Sequence, residues 1–499
     1  MSKATSNEST FRPALQLMSG RAAAFAVTFL IPVVLSRIFT QSEFGTYKQI
    51  FLIVYTLYGI GQIGMAECLF YFLPTFPKQS GRFVTNSVLM LGLTGLFCFS
   101  GLVLGRNRVA AALGNPGLTA YIWMAGAYLF LMLTACALEI VMISRKRYRW
   151  ATLTYATSDL VRGALFIVPA LLTRDLKWLM LGGLTFCALR VVTLLVYLRL
   201  EFKGRLGFDA QRLKQQFVYT VPFALSVLVE VFQANYHQFA VSSHFDTVTF
   251  AIYSVGCLQI PLVDFLASPA SNVMMVRMGE KIRDDRKQQL LPIWHDTSRK
   301  LALVFLPMVA LLVTNAYLLI TFLFTSKFAA SVPIFTFWSL TILFSIFQTD
   351  GVLRVFAETR FLFLMNVTRL LAIVGLMGWS LRTFGLIGAV LVTIMGTLIA
   401  KTMALFRIKR LMHLPVLQLM PWRSLGGIAI VAMLAAIPSA WISRNLHLAS
   451  IYVLPISGMA YVAVYSLLLL SLGLISDGEK RAIADVIGRY TGVLSPRAE

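Results

Sequence analysis

Charge is scarce in this 499-residue chain, at 13% of positions. Soluble domains usually carry about 25%, which excludes an ordinary water-facing surface over most of the length. Carboxylates are scarcer still, with 21 Asp and Glu against 44 Lys and Arg, and the net charge is +23. Such a charge suits nucleic acid only when gathered on a solvated face. Here Lys and Arg fall mostly in alternate breaks between apolar runs, the pattern of a topology signal. The five cysteines, Cys68, Cys98, Cys136, Cys187 and Cys257, all lie inside apolar runs. Their spacing gives neither a metal motif nor a disulfide framework, and they read as small hydrophobes. The five histidines are scattered; His237 and His244 read as polar interface residues at a helix end. No HExxH, GxSxG or GxxxxGK[ST] occurs, so zinc hydrolysis, a serine nucleophile and ATP hydrolysis have no sequence support. A driving force must then come from an ion gradient, the membrane potential or the cargo's own gradient.

What is present is apolar: 58% of residues are hydrophobic and 12% aromatic. Runs of about 20 such residues match the roughly 30 Å hydrocarbon core at 1.5 Å per residue. The expected fold class is therefore all-α and polytopic, with about fourteen membrane helices. They are placed near 16–36, 49–74, 83–104, 118–143, 150–172, 177–198 and 215–237, then 248–276, 301–325, 331–356, 361–381, 384–406, 424–443 and 450–475. An even count puts both termini on one side. Roughly 29 Lys and Arg fall in the loops and tails of that side against about 9 on the other, which the positive-inside rule reads as cytoplasm. RKRYR (Arg145 to Arg149) and RMGEKIRDDRKQQ (Arg277 to Gln289) carry much of the bias. The opposite loops are short, the longest near 106–117, and leave no room for a catalytic domain. MSKATSNESTFRP shows no cleavable signal, and the first helix is expected to direct insertion itself. In the tail 476–499, Ser476 and Glu479 form a candidate capping box, and Ile483, Val486, Ile487 and Tyr490 share one helical face, as an amphipathic cytoplasmic helix would.

One frame occurs twice. Ser36, Phe39, Phe44 and Tyr47 of LSRIFTQSEFGTY align without a gap on Ser242, Phe245, Phe250 and Tyr253 of VSSHFDTVTFAIY. Each copy leaves one span, crosses a short loop and enters the next, with six spans between the copies. The organisation expected is a six-helix lobe over 1–200, a second over 215–411, related by a parallel pseudo-twofold, and an extra pair over 424–475. Parallel repeats are common in transporters, with the binding site at their interface.

The stretch LSRIFTQSEFGTYKQIFLIVYTLYGIGQIGMAECLFYFLP, with Arg37, Phe44, Gly45 and Tyr47, resembles the opening of the oligosaccharide flippases. These belong to the polysaccharide transporter family of the multidrug/oligosaccharidyl-lipid/polysaccharide superfamily. FAIYSVGCLQIPLVDFL, with Tyr253 and Pro261, is similar to that family's seventh-to-eighth helix turn. The resemblance implies a transporter with no enzyme activity, moving a polyprenyl-pyrophosphate-linked oligosaccharide across a bacterial inner membrane by alternating access. It implies lipopolysaccharide O-antigen or exopolysaccharide biosynthesis, membrane lipids as surroundings and a polysaccharide polymerase and chain-length regulator as partners. It also implies no cofactor, no nucleic acid and action as a monomer. One departure stands out: QANYHQF, with Asn235 and His237, stands where many relatives carry an Asp late in helix seven.

About a dozen ionisable residues fall within spans, where each costs on the order of 2.5–3.5 kcal/mol on insertion scales. Arg21, Glu139 and Lys401 lie near a cytoplasmic end and are expected to snorkel. Asp159 with Arg162, and Asp350 with Arg354, have the spacing of same-face pairs. Glu67, Arg190, Glu230, Asp264 and Arg369 have no partner on their own helix. The expected phosphate and glycan cavity is lined by Arg162, Arg190, Arg369, Arg354 and Arg21, because guanidinium groups replace phosphate hydration with charge-assisted hydrogen bonds. Asp159, Glu67, Glu230, Asp264 and Asp350 are the candidates for ion coupling or charge tuning. Pro32, Pro222 and Pro261 are candidate bending points. A peptidoglycan-precursor flippase, a drug or metabolite antiporter of the same superfamily, an integral-membrane glycan polymerase or ligase, and a scaffold within an export complex remain open alternatives.

Overall fold

The computed structural model describes residues 27–284, 286–446 and 448–474. The chain runs through α1 (Val27–Ile38), α2 (Gln41–Gly61), α3 (Leu69–Thr75), α4 (Ser80–Leu104), α5 (Arg106–Ala112), α6 (Ile122–Ala135) and α7 (Leu138–Ser144). It continues with α8 (Tyr148–Thr173), α9 (Leu176–Phe202), α10 (Ala210–His244), α11 (Thr247–Gly256), α12 (Pro261–Arg283), α13 (Leu290–Thr314) and α14 (Ala316–Phe324). The last helices are α15 (Val332–Ser339), α16 (Thr349–Val355), α17 (Thr359–Met412), α18 (Val416–Leu419), α19 (Trp422–Asn445) and α20 (Ser450–Ser471). Short 3₁₀ turns fill several connections, and no strand occurs among the described residues. Nine helical stretches among these residues are long and apolar enough to cross a membrane, or up to eleven if each of two bent pairs forms one span. The protein is a multi-pass, all-α membrane protein. The amphipathic tail expected over 476–499 lies outside the described residues.

Local sequence explains where helices start. Thr40 caps α2 in a reciprocal box: its hydroxyl accepts from the Glu43 N–H at 3.3 Å, and Glu43 accepts from the Thr40 N–H at 2.9 Å. At the aligned position Asp246 caps α11 through the Thr249 N–H, at 3.3 Å. The repeated frame is thus a helix end, a cap and a new helix whose aromatic residues Phe44 and Phe250 are fully buried. Capping satisfies N–H groups that the first turn cannot pair internally.

Two compact units result. The first gathers the described residues up to Cys257 with Leu323–Ser331 and Asn366–Gly396. Within it α4 packs on α6, and α9 packs on both α6 and α8, around Leu91, Leu129, Leu133, Phe166 and Phe186. α2 packs on both α10 and α11, and Gln49 of α2 donates to the Ser242 hydroxyl of α10 at 2.8 Å and to the Leu113 carbonyl after α5 at 3.0 Å. Asn115 donates back to Gln49 at 2.7 Å and to Thr46 at 3.0 Å. The second unit comprises Leu258–Phe322, Val332–Met365 and the described residues from Thr397 onward. Its core is built on Trp294, Phe305 and Tyr461, and the Trp294 indole donates to the Phe347 carbonyl at 2.7 Å.

Several spans differ from their expected outlines. The single helix expected over 49–74 breaks between Gly61 and Leu69, with Ile63 and Gly64 at positive φ (47° and 70°). The span expected over 248–276 stops at Gly256 and restarts at Pro261, whose ring suits a first helical position. α13 begins at Leu290, eleven residues ahead of the expected 301, because its first turns are amphipathic and hydropathy alone discards them. α17 holds two expected spans that meet at Gly385 (φ 57°), and near that turn the Ser380 hydroxyl donates to the Gly388 carbonyl at 3.0 Å.

Candidate functional site

The first unit carries a seam of charge through its apolar interior. Arg190 on α9 donates to Glu139 on α7 at 2.7 Å and to Ser158 on α8 at 3.0 Å. One residue along α8, Asp159 pairs with Arg162 at 2.5 Å, and Arg162 also donates to the Thr28 hydroxyl of α1. Four helices therefore converge through two guanidinium groups. The Tyr47, Tyr55 and Tyr128 side chains lie within electrostatic reach of Arg162. Phe51 packs against Tyr47, Tyr128 and Phe166, with ring centroids 4.9, 5.6 and 5.7 Å away, and so fixes α2, α6 and α8 around the site.

Close approach of α8 and α9 is set by Gly182. A Cβ there would stand 1.9 Å from the Leu165 carbonyl oxygen, so any larger residue must separate the helices and pull Arg190 from Ser158.

Glu67 sits in the break between α2 and α3. It lines a cavity of about 110 Å³ together with Gln62, Gly64, Ala224 and Val227. Tyr58 and Cys136 lie within electrostatic reach of both Glu67 and the Arg190–Glu139 pair, which joins Glu67 to the seam. Three buried polar atoms of the seam, Glu67 Oε2, Glu139 Oε1 and Arg162 Nε, have no hydrogen-bond partner among the described residues. Buried polar atoms are nearly always partnered by protein or water, so these positions suit water or a ligand. The Arg162 and Arg190 side chains are largely buried, keeping 14% and 18% of their surface accessible.

The remaining candidates fall elsewhere. In the second unit, Asp350 pairs with Lys401 of α17 at 2.9 Å, and Lys401 also donates to Thr349 at 3.1 Å. Arg354 is exposed on α16 within electrostatic reach of Asp350. The expected Asp350–Arg354 pair is thus corrected to Asp350–Lys401, because Lys401 approaches from another helix. The expectation that Glu139 and Lys401 snorkel is corrected in the same way: Glu139 keeps only 3% of its surface and holds Arg190. Arg369 is half-buried on α17, where its Cγ lies 3.5 Å from the place a Gly396 Cβ would take. Glu230 on α10 and Asp264 in the first turn of α12 are exposed. Arg21 lies outside the described residues. Residue-type reasoning missed Ser158 and Thr28 as partners.

A family profile described as "Polysaccharide biosynthesis protein" matches residues 34–333, more than half of the chain. No curated protein sequence matches at a significant level. Among solved structures, the lipid II flippase MurJ in an inward closed conformation is similar at 12% identity with a TM-score of 0.69, over 89% of this chain and 97% of that one. An inward-facing multidrug resistance MATE family transporter of the MOP superfamily matches at 13% identity and a TM-score of 0.58, over 85% and 96%. A MOP superfamily transporter from Pyrococcus furiosus matches at 12% identity and a TM-score of 0.55, over 87% and 96%. At these identities the likeness speaks for the fold, which is that of MOP-superfamily transporters. With its profile match over more than half of its length, the chain belongs to the family described as "Polysaccharide biosynthesis protein".

Proposed function

We propose that the protein is a flippase for a polyprenyl-pyrophosphate-linked oligosaccharide, working by alternating access in the bacterial inner membrane for O-antigen or exopolysaccharide biosynthesis. The reading includes fourteen spans in six-six-two order with both termini in the cytoplasm. It also includes action as a monomer alongside a polymerase and a chain-length regulator. The observation that supports it best is the Arg162–Asp159 and Arg190–Glu139 seam inside an apolar bundle of this family.

The chemistry follows from charge balance. In this state each guanidinium is occupied by a carboxylate. A pyrophosphate brings more charge and two planar acceptor faces, so it competes for Arg162 and Arg190 through bidentate bonds. Asp159 and Glu139 then act as placeholders that keep the arginines charged and oriented between cycles. With Glu67 the seam holds three carboxylates against two guanidinium groups. The extra carboxylate is a place for a coupling proton or sodium ion. Arg369, Arg354, Arg21, Glu230, Asp264 and Asp350 remain further candidates.

A second reading is a peptidoglycan-precursor flippase, favoured by the TM-score of 0.69 to MurJ. Complementation separates the two. The proposal expects rescue of surface glycan in cells lacking an oligosaccharide flippase, and no rescue of growth in cells depleted of their lipid II flippase. The opposite pattern would replace the first reading with the second.

A further inference from the structure

A second polar cavity, of about 250 Å³, lies at the Lys- and Arg-rich helix ends of the first unit, where three inter-helix connections converge. Lys78 comes from the connection before α4 and Arg145 from the one before α8. Glu201 closes α9, and Lys203 and Arg205 come from the connection that follows. Four cations thus share one cavity with a single carboxylate. Glu201 accepts from the Arg145 Nε at 3.1 Å and lies 3.7 Å from the Arg147 Nε, so it is already engaged. Lys78, Lys203 and Arg205 are exposed, with no carboxylate paired to them in the cavity wall.

This wall is built into the backbone. Lys203 and Gly204 adopt left-handed conformations (φ 41° and 81°), which end α9 and let the Arg205 N–H reach the Phe202 carbonyl at 2.9 Å. The turn seats the Arg205 carbonyl against the start of α4. Only a glycine fits beneath it, since a Gly81 Cβ would stand 2.3 Å from that oxygen. The Arg145 guanidinium is held over the Phe202 ring, 5.8 Å from its centroid.

Like charges gathered this closely repel one another unless an anion sits among them. The cavity is smaller than the usual range for drug-sized ligands; it suits one phosphate with a short polar substituent and excludes a chain of sugar rings. Because it sits at the ends of membrane-spanning helices, it lies at head-group depth, where basic pockets between helices capture anionic lipids. We propose that this cavity is a phosphate-binding site filled from the membrane by the head group of an anionic phospholipid. The site is separate from the Arg162–Arg190 seam and does not depend on the cargo assigned to that seam.

Native mass spectrometry of the purified full-length protein with phosphatidylglycerol or phosphatidylcholine tests this. Wild type should retain phosphatidylglycerol well above phosphatidylcholine. Lys78→Ala with Arg205→Ala should weaken that retention about thirty-fold, as expected for two lost head-group cations, with an unchanged melting temperature. Arg423→Ala, an exposed charge on α19, should leave retention at the wild-type level. Should the double alanine variant melt early, Lys78→Gln with Arg205→Gln keeps side-chain bulk and gives the same reading. Inorganic phosphate that displaces phosphatidylglycerol from wild type supports the shared chemistry. Phosphate binding that the variants weaken, without any phosphatidylglycerol binding, overturns the membrane source. Equal retention of both lipids, or equal phosphatidylglycerol retention by wild type and both double variants, overturns the site.

Discussion

At the scale of single residues, the account turns on Arg190 and Glu139. Glu139 is buried, and removing its partner leaves a carboxylate without compensation; breaking such a pair costs about 3–5 kcal/mol. Arg190→Ala should therefore lower thermal stability in detergent and abolish glycan export together. Arg190→Ala combined with Glu139→Ala should recover most of the stability, because no unpaired charge remains, while export stays absent. Recovery of export along with stability would mean that the pair is purely structural. Same-helix spacing found the Asp159–Arg162 pair in the sequence, since residues three apart share a face. It could not find Arg190–Glu139 or Asp350–Lys401, whose members lie on different helices, and it left Glu139 and Lys401 to snorkel. Partnership across helices depends on rotation about each axis, and hydropathy carries no information on that rotation.

At the scale of elements, the ends and breaks of helices carry the design. The two copies of the repeated frame were legible because an N-cap followed by buried aromatics leaves a fixed spacing, and Thr40 and Asp246 cap at aligned positions. The break at Gly61–Leu69 was not legible, because GQIGMAE is averaged into a continuous apolar window. Gly182→Ala should destabilise the protein by about 1–3 kcal/mol through overpacking against Leu165. It should also reduce export more than a volume change at a lipid-facing position of α9 such as Leu195. Equal export by both variants would show that α8–α9 spacing does not set the site.

A cap outside the membrane gives a pH test. Asp209 caps α10, and the Arg212 backbone N–H, with the Arg82 guanidinium and the Gln211 N–H, holds its carboxyl below the ordinary value. A depressed folded pKa adds stability that is complete above the ordinary carboxylate range and disappears as pH falls through the folded value. Asp209→Asn should thus melt below wild type at pH 7, and the difference should shrink steadily as the pH of the melts is lowered below the ordinary carboxylate range. A difference that persists at low pH would place the effect in packing instead of charge.

At the scale of the whole molecule, composition and charge placement were enough to read an all-α, polytopic membrane protein, because bilayer thickness and the charge cost of insertion constrain every span in the same way. The site was less legible: the sequence supplied the buried charges but not their grouping, and only part of the candidate set gathers in the first unit. The central claim is that Arg162 and Arg190 receive the pyrophosphate of the cargo. Its most direct test is translocation in proteoliposomes, following a pyrophosphate-linked oligosaccharide by its accessibility to an enclosed glycosidase. The account predicts that wild type moves the lipid, that Arg162→Ala with Arg190→Ala, Asp159→Ala and Glu139→Ala reconstitutes normally yet does not move it, and that free pyrophosphate inhibits wild type. Translocation by this quadruple variant at the wild-type rate would contradict the account.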